Sequence, residues 1–158
     1  MIKSAQSVMD LLPYKSSFRF VDDISLLTLE EVKGEYTLKP DSFFYEDHFP
    51  GNPVTPGVIV TEIMAQIGLV VLGLNLIVNG PAQEGMHFDE TSFPLLTSAD
   101  TSFFKMVLPG EKVTVISHKE YFRFGKLKCK VQMYNAAQDL VAKGTFSGII
   151  KQAEKKAI

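Results

Sequence analysis

Within DHFPGNPVTPGVIVTEIMAQIG, residues 47–68, three groups able to move or stabilise charge fall in one short segment. His48 precedes Pro50, Gly51 and Pro53, on backbone that proline stiffens. Its imidazole exchanges a proton near neutral pH, with an unperturbed pKa of about 6.5. Glu62 follows fourteen residues later, inside an apolar run. Burial raises a carboxyl pKa because desolvation disfavours the charged form, and a carboxyl that keeps its proton near neutrality can act as a general acid. A glutamate in such a place can equally be structural, satisfied by backbone amides or a basic residue. Gly57 leaves its backbone exposed where the helix would begin. There its N–H is one of the unpaired donors of a helix N-terminus and can stabilise charge developing on a carbonyl oxygen. Base, acid and oxyanion donor together suit removal of a proton beside a carbonyl, followed by loss of a β-substituent. His87 and His118 have no comparable setting.

The elements that must hold these groups are legible from periodicity. SVMDLLP reads as a short opening helix, capped by Ser7 and ended by Pro13. FRFVDDISLL and EVKGEYTLK read as two strands, rich in aromatic and β-branched residues. PDSFFYEDHFPGNPVTPG is a loop dense in Pro and Gly. A helix follows, with Thr55 as cap, Pro56 in the first turn and Asn79-Gly80-Pro81 as its stop. On helical spacing Glu62, Gln66 and Gly73 share one face, a polar and open stripe on an otherwise apolar rod. About four strands come next. In KLKCKVQMY, Leu127, Cys129, Val131 and Met133 alternate with Lys126, Lys128, Lys130 and Gln132, the pattern of a half-buried strand. LVAKGTFSGII closes the series after a turn at NAAQ. The expectation is an α+β hotdog fold, an antiparallel sheet wrapped around one long central helix, as a single domain over residues 1–158.

Composition narrows the function classes. A 158-residue chain with 46% hydrophobic and 22% charged residues buries a core rather than staying disordered. Its net charge of −2, without a basic tail, does not suggest a nucleic-acid partner. The lone Cys129 excludes an internal disulfide and a cysteine-built zinc site, and fits a reducing compartment. No metal site is expected, and the cytoplasm is the plain location. Val58–Val78 is long enough to cross a bilayer, but it carries Glu62, Gln66 and Asn75 and has no flanking basic cluster. A carboxylate near a bilayer centre costs about 2.5–3.5 kcal/mol, so a buried core helix is the expected reading.

HFPGNPVTPGVIVTEIMAQ resembles the signature of the β-hydroxyacyl-acyl-carrier-protein dehydratases of fatty acid synthesis. That pattern runs His-Phe-Pro-Gly, then Pro and Pro-Gly, then an acid fourteen positions after the His, then Met-Ala-Gln. LLPYKSSFRFVDDI and FFKMVLPGE are similar to flanking motifs of the same family, and the likeness covers roughly residues 11–150.

The resemblance implies a hotdog homodimer, alone or as a trimer of dimers, with His48 of each site from one subunit and Glu62 from the other. His48 would take the proton beside the thioester and Glu62 would protonate the departing hydroxyl, yielding a trans-2-enoyl thioester. The Gly57 amide would polarise the carbonyl, and Gln66 would order Glu62 or a water; both are candidate substrate-binding residues. No cofactor is implied beyond the phosphopantetheine arm that carries the substrate on acyl carrier protein. Glu rather than Asp at position 62 points to the non-isomerising group. Lys105, Arg123, Lys126 and Lys128 are candidates for docking the acidic carrier, and Phe44 and Phe49 for lining an acyl tunnel. Asp47, Ser102, Met106 and GPAQEGMHFDETSFPLLTSAD depart from the family pattern, which leaves chain length and pathway open. A hotdog thioesterase, a coenzyme A-dependent hydratase and a non-catalytic acyl-binding subunit are the alternatives.

Overall fold

Residues Gly57–Asn79 form one helix at the centre of the molecule, and its apolar faces are buried nearly all round. By length and composition this helix could cross a membrane. Here it is instead the rod around which a sheet curls. The coordinates are a computed structural model that describes residues 2–83 and 86–152. The expected single domain over 1–158 therefore includes residues outside the described ones.

A short helix, Ala5–Met9, opens the chain and is followed by strands β1 (Asp23–Leu27) and β2 (Glu31–Thr37). After the central helix come β3 (Ser92–Phe103), β4 (Lys112–Arg123), β5 (Lys126–Tyr134) and β6 (Leu140–Gln152). They form a six-stranded sheet in the order β1-β2-β4-β5-β6-β3, antiparallel at every step. The expected hotdog architecture is the observed one. The alternation read in β5 is present, with Leu127, Cys129, Val131 and Met133 buried.

The helix lies close to the sheet because glycines face each other's neighbours. A Cβ on Gly68 would stand 2.9 Å from Val131 Cγ1 and 3.1 Å from Ser117 Cβ. One on Gly34 of β2 would stand 2.8 Å from Ile67 Cγ2. Gly68→Ala should therefore overpack this seam and destabilise the fold by about 1–3 kcal/mol, read as a lower urea midpoint with unchanged slope.

Three local expectations need correction. Ser4, not Ser7, caps the first helix, accepting the Ser7 N–H, and the helix ends before Pro13. Thr55 is not the cap of the central helix: its hydroxyl is 2.6 Å from the Tyr45 hydroxyl, and Pro56 occupies the cap position. The first strand begins only at Asp23, because Phe18 O and Phe20 N bond to the Gln66 side chain instead of a neighbouring strand.

Candidate active site

His48 sits in the proline-rich loop ahead of the central helix, and that loop is tied down at several points. Thr55 N–H donates to Val107 O at 2.8 Å, and Tyr45, buried beside Phe44, meets Thr55. Val54 N–H donates to His48 O at 2.9 Å, while His48 Nδ1 lies 2.8 Å from Val54 O. A carbonyl only accepts, so Nδ1 carries the proton and Nε2 of the neutral ring is left with its lone pair. The ring stacks on Phe49, with centroids 4.3 Å apart. The loop thus presents an oriented base.

Glu62 lies in the second turn of the helix, half-buried. Its Oε2 accepts from Gln66 Nε2 at 2.9 Å. Burial pushes its carboxyl above the ordinary range, and the Gln66 hydrogen bond opposes this only in part. Gln66 itself is fully buried. Its Nε2 also donates to Phe18 O at 2.9 Å, and its Oε1 accepts from Phe20 N–H at 2.8 Å. Both amide hydrogens and the carbonyl are thereby engaged, which fixes the amide's orientation. Gln66 stands behind Glu62 and has no donor left for a ligand, so its candidacy as a substrate contact gives way to a positioning role. Gln66→Met should strand the buried Phe20 N–H and Phe18 O, lowering stability by about 1–3 kcal/mol in thermal or urea unfolding.

Glu62 lies at the junction of two spaces. On one side is an apolar cavity of about 150 Å³, running between the helix and the sheet past Gly73 to Phe122 and Leu127. On the other is a broad mouth lined by Gly57, Thr61, Leu96, Thr101 and Phe103. Pro56 O accepts from Ile59 and Val60 N–H, so Gly57 N–H lies ahead of the first intrahelical bonds. A Cβ on Gly57 would touch the Phe103 ring at 3.4 Å. Gly57 thus lines the mouth beside Glu62.

The helix widens to π geometry over Gln66–Val71, which shifts the phase of every residue after it. Gly73 nonetheless reaches the cavity wall with Glu62. His48 lines neither of the two spaces that Glu62 lines. Phe44 and Phe49 do not line the cavity either: Phe44 is packed in the core against Phe20 and Tyr45, and Phe49 is exposed against His48. Sequence reasoning missed Tyr14, which does line it. Burial and the charge of Glu62 both push the Tyr14 phenol upward, so it stays protonated. The one available signal was its place in LLPYK, ahead of the segment that Gln66 holds. Among the described residues no cluster of three or more His, Cys, Asp or Glu is placed to hold a metal.

Comparison with known proteins identifies the family. Residues 12–152 match the model of the FabA-like domain. The chain is 33% identical over 110 residues to the 3-hydroxyacyl-[acyl-carrier-protein] dehydratase FabZ of Petrotoga mobilis, covering 68% of this chain and 70% of that one. Against the FabZ of Ehrlichia canis it is 28% identical over 156 residues, covering 94% and 96%. Among solved structures, the dehydratase heterocomplex ApeI:P from Xenorhabdus doucetiae superposes with a TM-score of 0.69 at 14% identity, covering 94% and 91%. A thioesterase superfamily member from Thermus thermophilus superposes at 0.57 with 19% identity, covering 77% and 81%. The fold alone is thus common to thioesterases and dehydratases, and sequence decides between them: the chain belongs to the FabA-like family of hotdog-fold 3-hydroxyacyl-acyl-carrier-protein dehydratases.

Proposed function

We propose that this chain dehydrates (3R)-hydroxyacyl thioesters on acyl carrier protein to trans-2-enoyl thioesters, in fatty acid synthesis or a related lipid or polyene pathway of the cytoplasm. The observation that carries the reading is a half-buried carboxyl, Glu62, whose pKa burial raises, set between a broad mouth and an apolar cavity. The thioester stays in the mouth, where the Gly57 N–H bonds its carbonyl oxygen. The acyl chain passes Glu62 into the cavity. His48 Nε2 removes the α-proton, and the electron pair is held on the thioester oxygen beside the Gly57 dipole. As that pair forms the α,β double bond, Glu62 gives its proton to the 3-hydroxyl, which leaves as water. The steps use the His48 and Glu62 side chains and the Gly57 backbone amide.

The assembly proposed is a homodimer with shared sites, a second copy supplying the His48 that Glu62 lacks in its own chain. β3 supports this: it is an edge strand with Leu95, Leu96 and Phe103 exposed, continued by exposed Phe104 and Met106. Apolar edges of this length need a cover. For the carrier, Lys105 stands two residues beyond Phe103, which lines the mouth, and its exposed pair with Asp139 is weak enough to yield. Arg123, Lys126 and Lys128 belong instead to the β4–β5 hairpin that closes the cavity beside Gly73, which makes them poorer candidates.

The test is turnover of β-hydroxyacyl thioesters over a series of chain lengths, on carrier protein and on coenzyme A. Enoyl absorbance with the thioester intact is the expected result. Release of free thiol would replace the reading with a thioesterase, and binding without product would leave a non-catalytic acyl-binding subunit.

A further inference from the structure

The wall of the inner cavity is almost wholly apolar. Of the side chains that line it, only those of Glu62 and Tyr14 carry a polar atom. Tyr14 is half-buried, and among the described residues its hydroxyl forms no hydrogen bond. That hydroxyl is not among the buried polar atoms left without a partner, so it is accessible, and Tyr14 lines the cavity that a bound chain would enter. Its position is not accidental to the site. The chain from Tyr14 runs into the turn Ser16–Phe18, and Phe18 O is held by the same Gln66 amide that holds Glu62. The Tyr14 and Phe18 rings also contact, at 6.4 Å between centroids. One buried amide therefore sets both polar groups of the cavity relative to each other.

In a β-hydroxyacyl chain that passes Glu62, the 3-oxygen is the polar atom that reaches this depth; the carbons beyond it match the apolar wall. A hydroxyl oxygen has two lone pairs, so it can accept from two donors at once. We propose that the Tyr14 hydroxyl donates a hydrogen bond to the 3-oxygen of the bound acyl chain, beside the proton that Glu62 delivers. Tyr14 would then recognise hydroxyacyl over saturated chains and steady the oxygen as its bond to carbon breaks. No group other than Glu62 transfers a proton, so the balance of the dehydration is unchanged. Burial, the larger cause, keeps the phenol in its donating form.

This inference rests on the dehydratase reading, but its test does not need turnover. In a His48→Ala background, affinity is measured for two carrier-bound ligands of equal length, a (3R)-hydroxyacyl and a saturated acyl thioester. Adding Tyr14→Phe keeps the ring and removes a hydroxyl that bonds to nothing in the described protein, so the fold and unfolding temperature should hold. The expected result is an affinity for the hydroxyacyl ligand lower by about three- to tenfold, with the saturated ligand within about twofold of its starting value. Equal change for both ligands, or none for either, would overturn the role given to Tyr14. A wild-type protein that binds hydroxyacyl ligand without producing enoyl would overturn the dehydratase reading while leaving this ratio to be read on its own.

Discussion

Glu62→Gln is expected to lower kcat on a β-hydroxyacyl carrier thioester by about 10²- to 10⁴-fold, the range over which a positioned general acid acts. The amide matches the carboxyl in shape, can still meet Gln66, and leaves the cavity its volume, so KM should change little. What is lost is the proton. Stability should move the other way. The folded-state pKa of Glu62 lies above the ordinary carboxyl value because the group is buried. A raised pKa means that the protonated form stabilises the fold at low pH, and that this contribution fades as pH rises through the folded value. Glutamine has no such dependence. The unfolding temperature of Glu62→Gln relative to wild type should therefore increase as pH rises from acid through the folded-state value, and level off above it. A difference that shrinks over that range would mean that the fold holds Glu62 as a carboxylate, and the general-acid role would fall with it.

The i, i+4 spacing of Glu62 and Gln66 was enough to predict that they share a face, since four residues is one helical turn. The strict alternation of β5 likewise marked which residues face the helix. Other features depend on contacts made across long sequence separations, and no local pattern carries them. Ser4 and Ser7 are equally good caps by type, and only the accepted hydrogen bond separates them. Thr55 looks like a cap until Tyr45, ten residues earlier, claims its hydroxyl. The late start of β1 depends on Gln66, whose amide reaches back more than forty residues to Phe18 and Phe20. Tyr14 was invisible for the same reason, because the cavity it faces is built from β3, β4, β5, β6 and the helix, all distant in sequence. The widened turn at Gln66–Val71 also lies beyond a wheel drawn at 3.6 residues per turn.

Mixing two dead proteins should restore activity. In a dimer whose sites are shared, His48→Ala lacks the base at both sites and Glu62→Gln lacks the acid at both. A heterodimer of the two is different. One of its sites takes Glu62 from the first chain and His48 from the second, and is intact; the other site has neither. Equal mixing with free exchange gives half heterodimers, each with one working site of two, so about a quarter of the wild-type rate per subunit should return. Co-expression with two affinity tags isolates the heterodimer, which should run at about half the wild-type rate per dimer. The geometry motivates this outcome because His48 lines neither space that Glu62 lines within one chain. Were both groups to serve a substrate from the same chain, each heterodimer site would lack one of them and the mixture would stay inactive. Assembly of dimers into a larger ring does not alter the expectation, since each shared site lies within one pair of chains. Restoration also reports on mechanism as well as assembly: base and acid must both be essential, and must act on one bound substrate, for two separately inactive chains to form a working site.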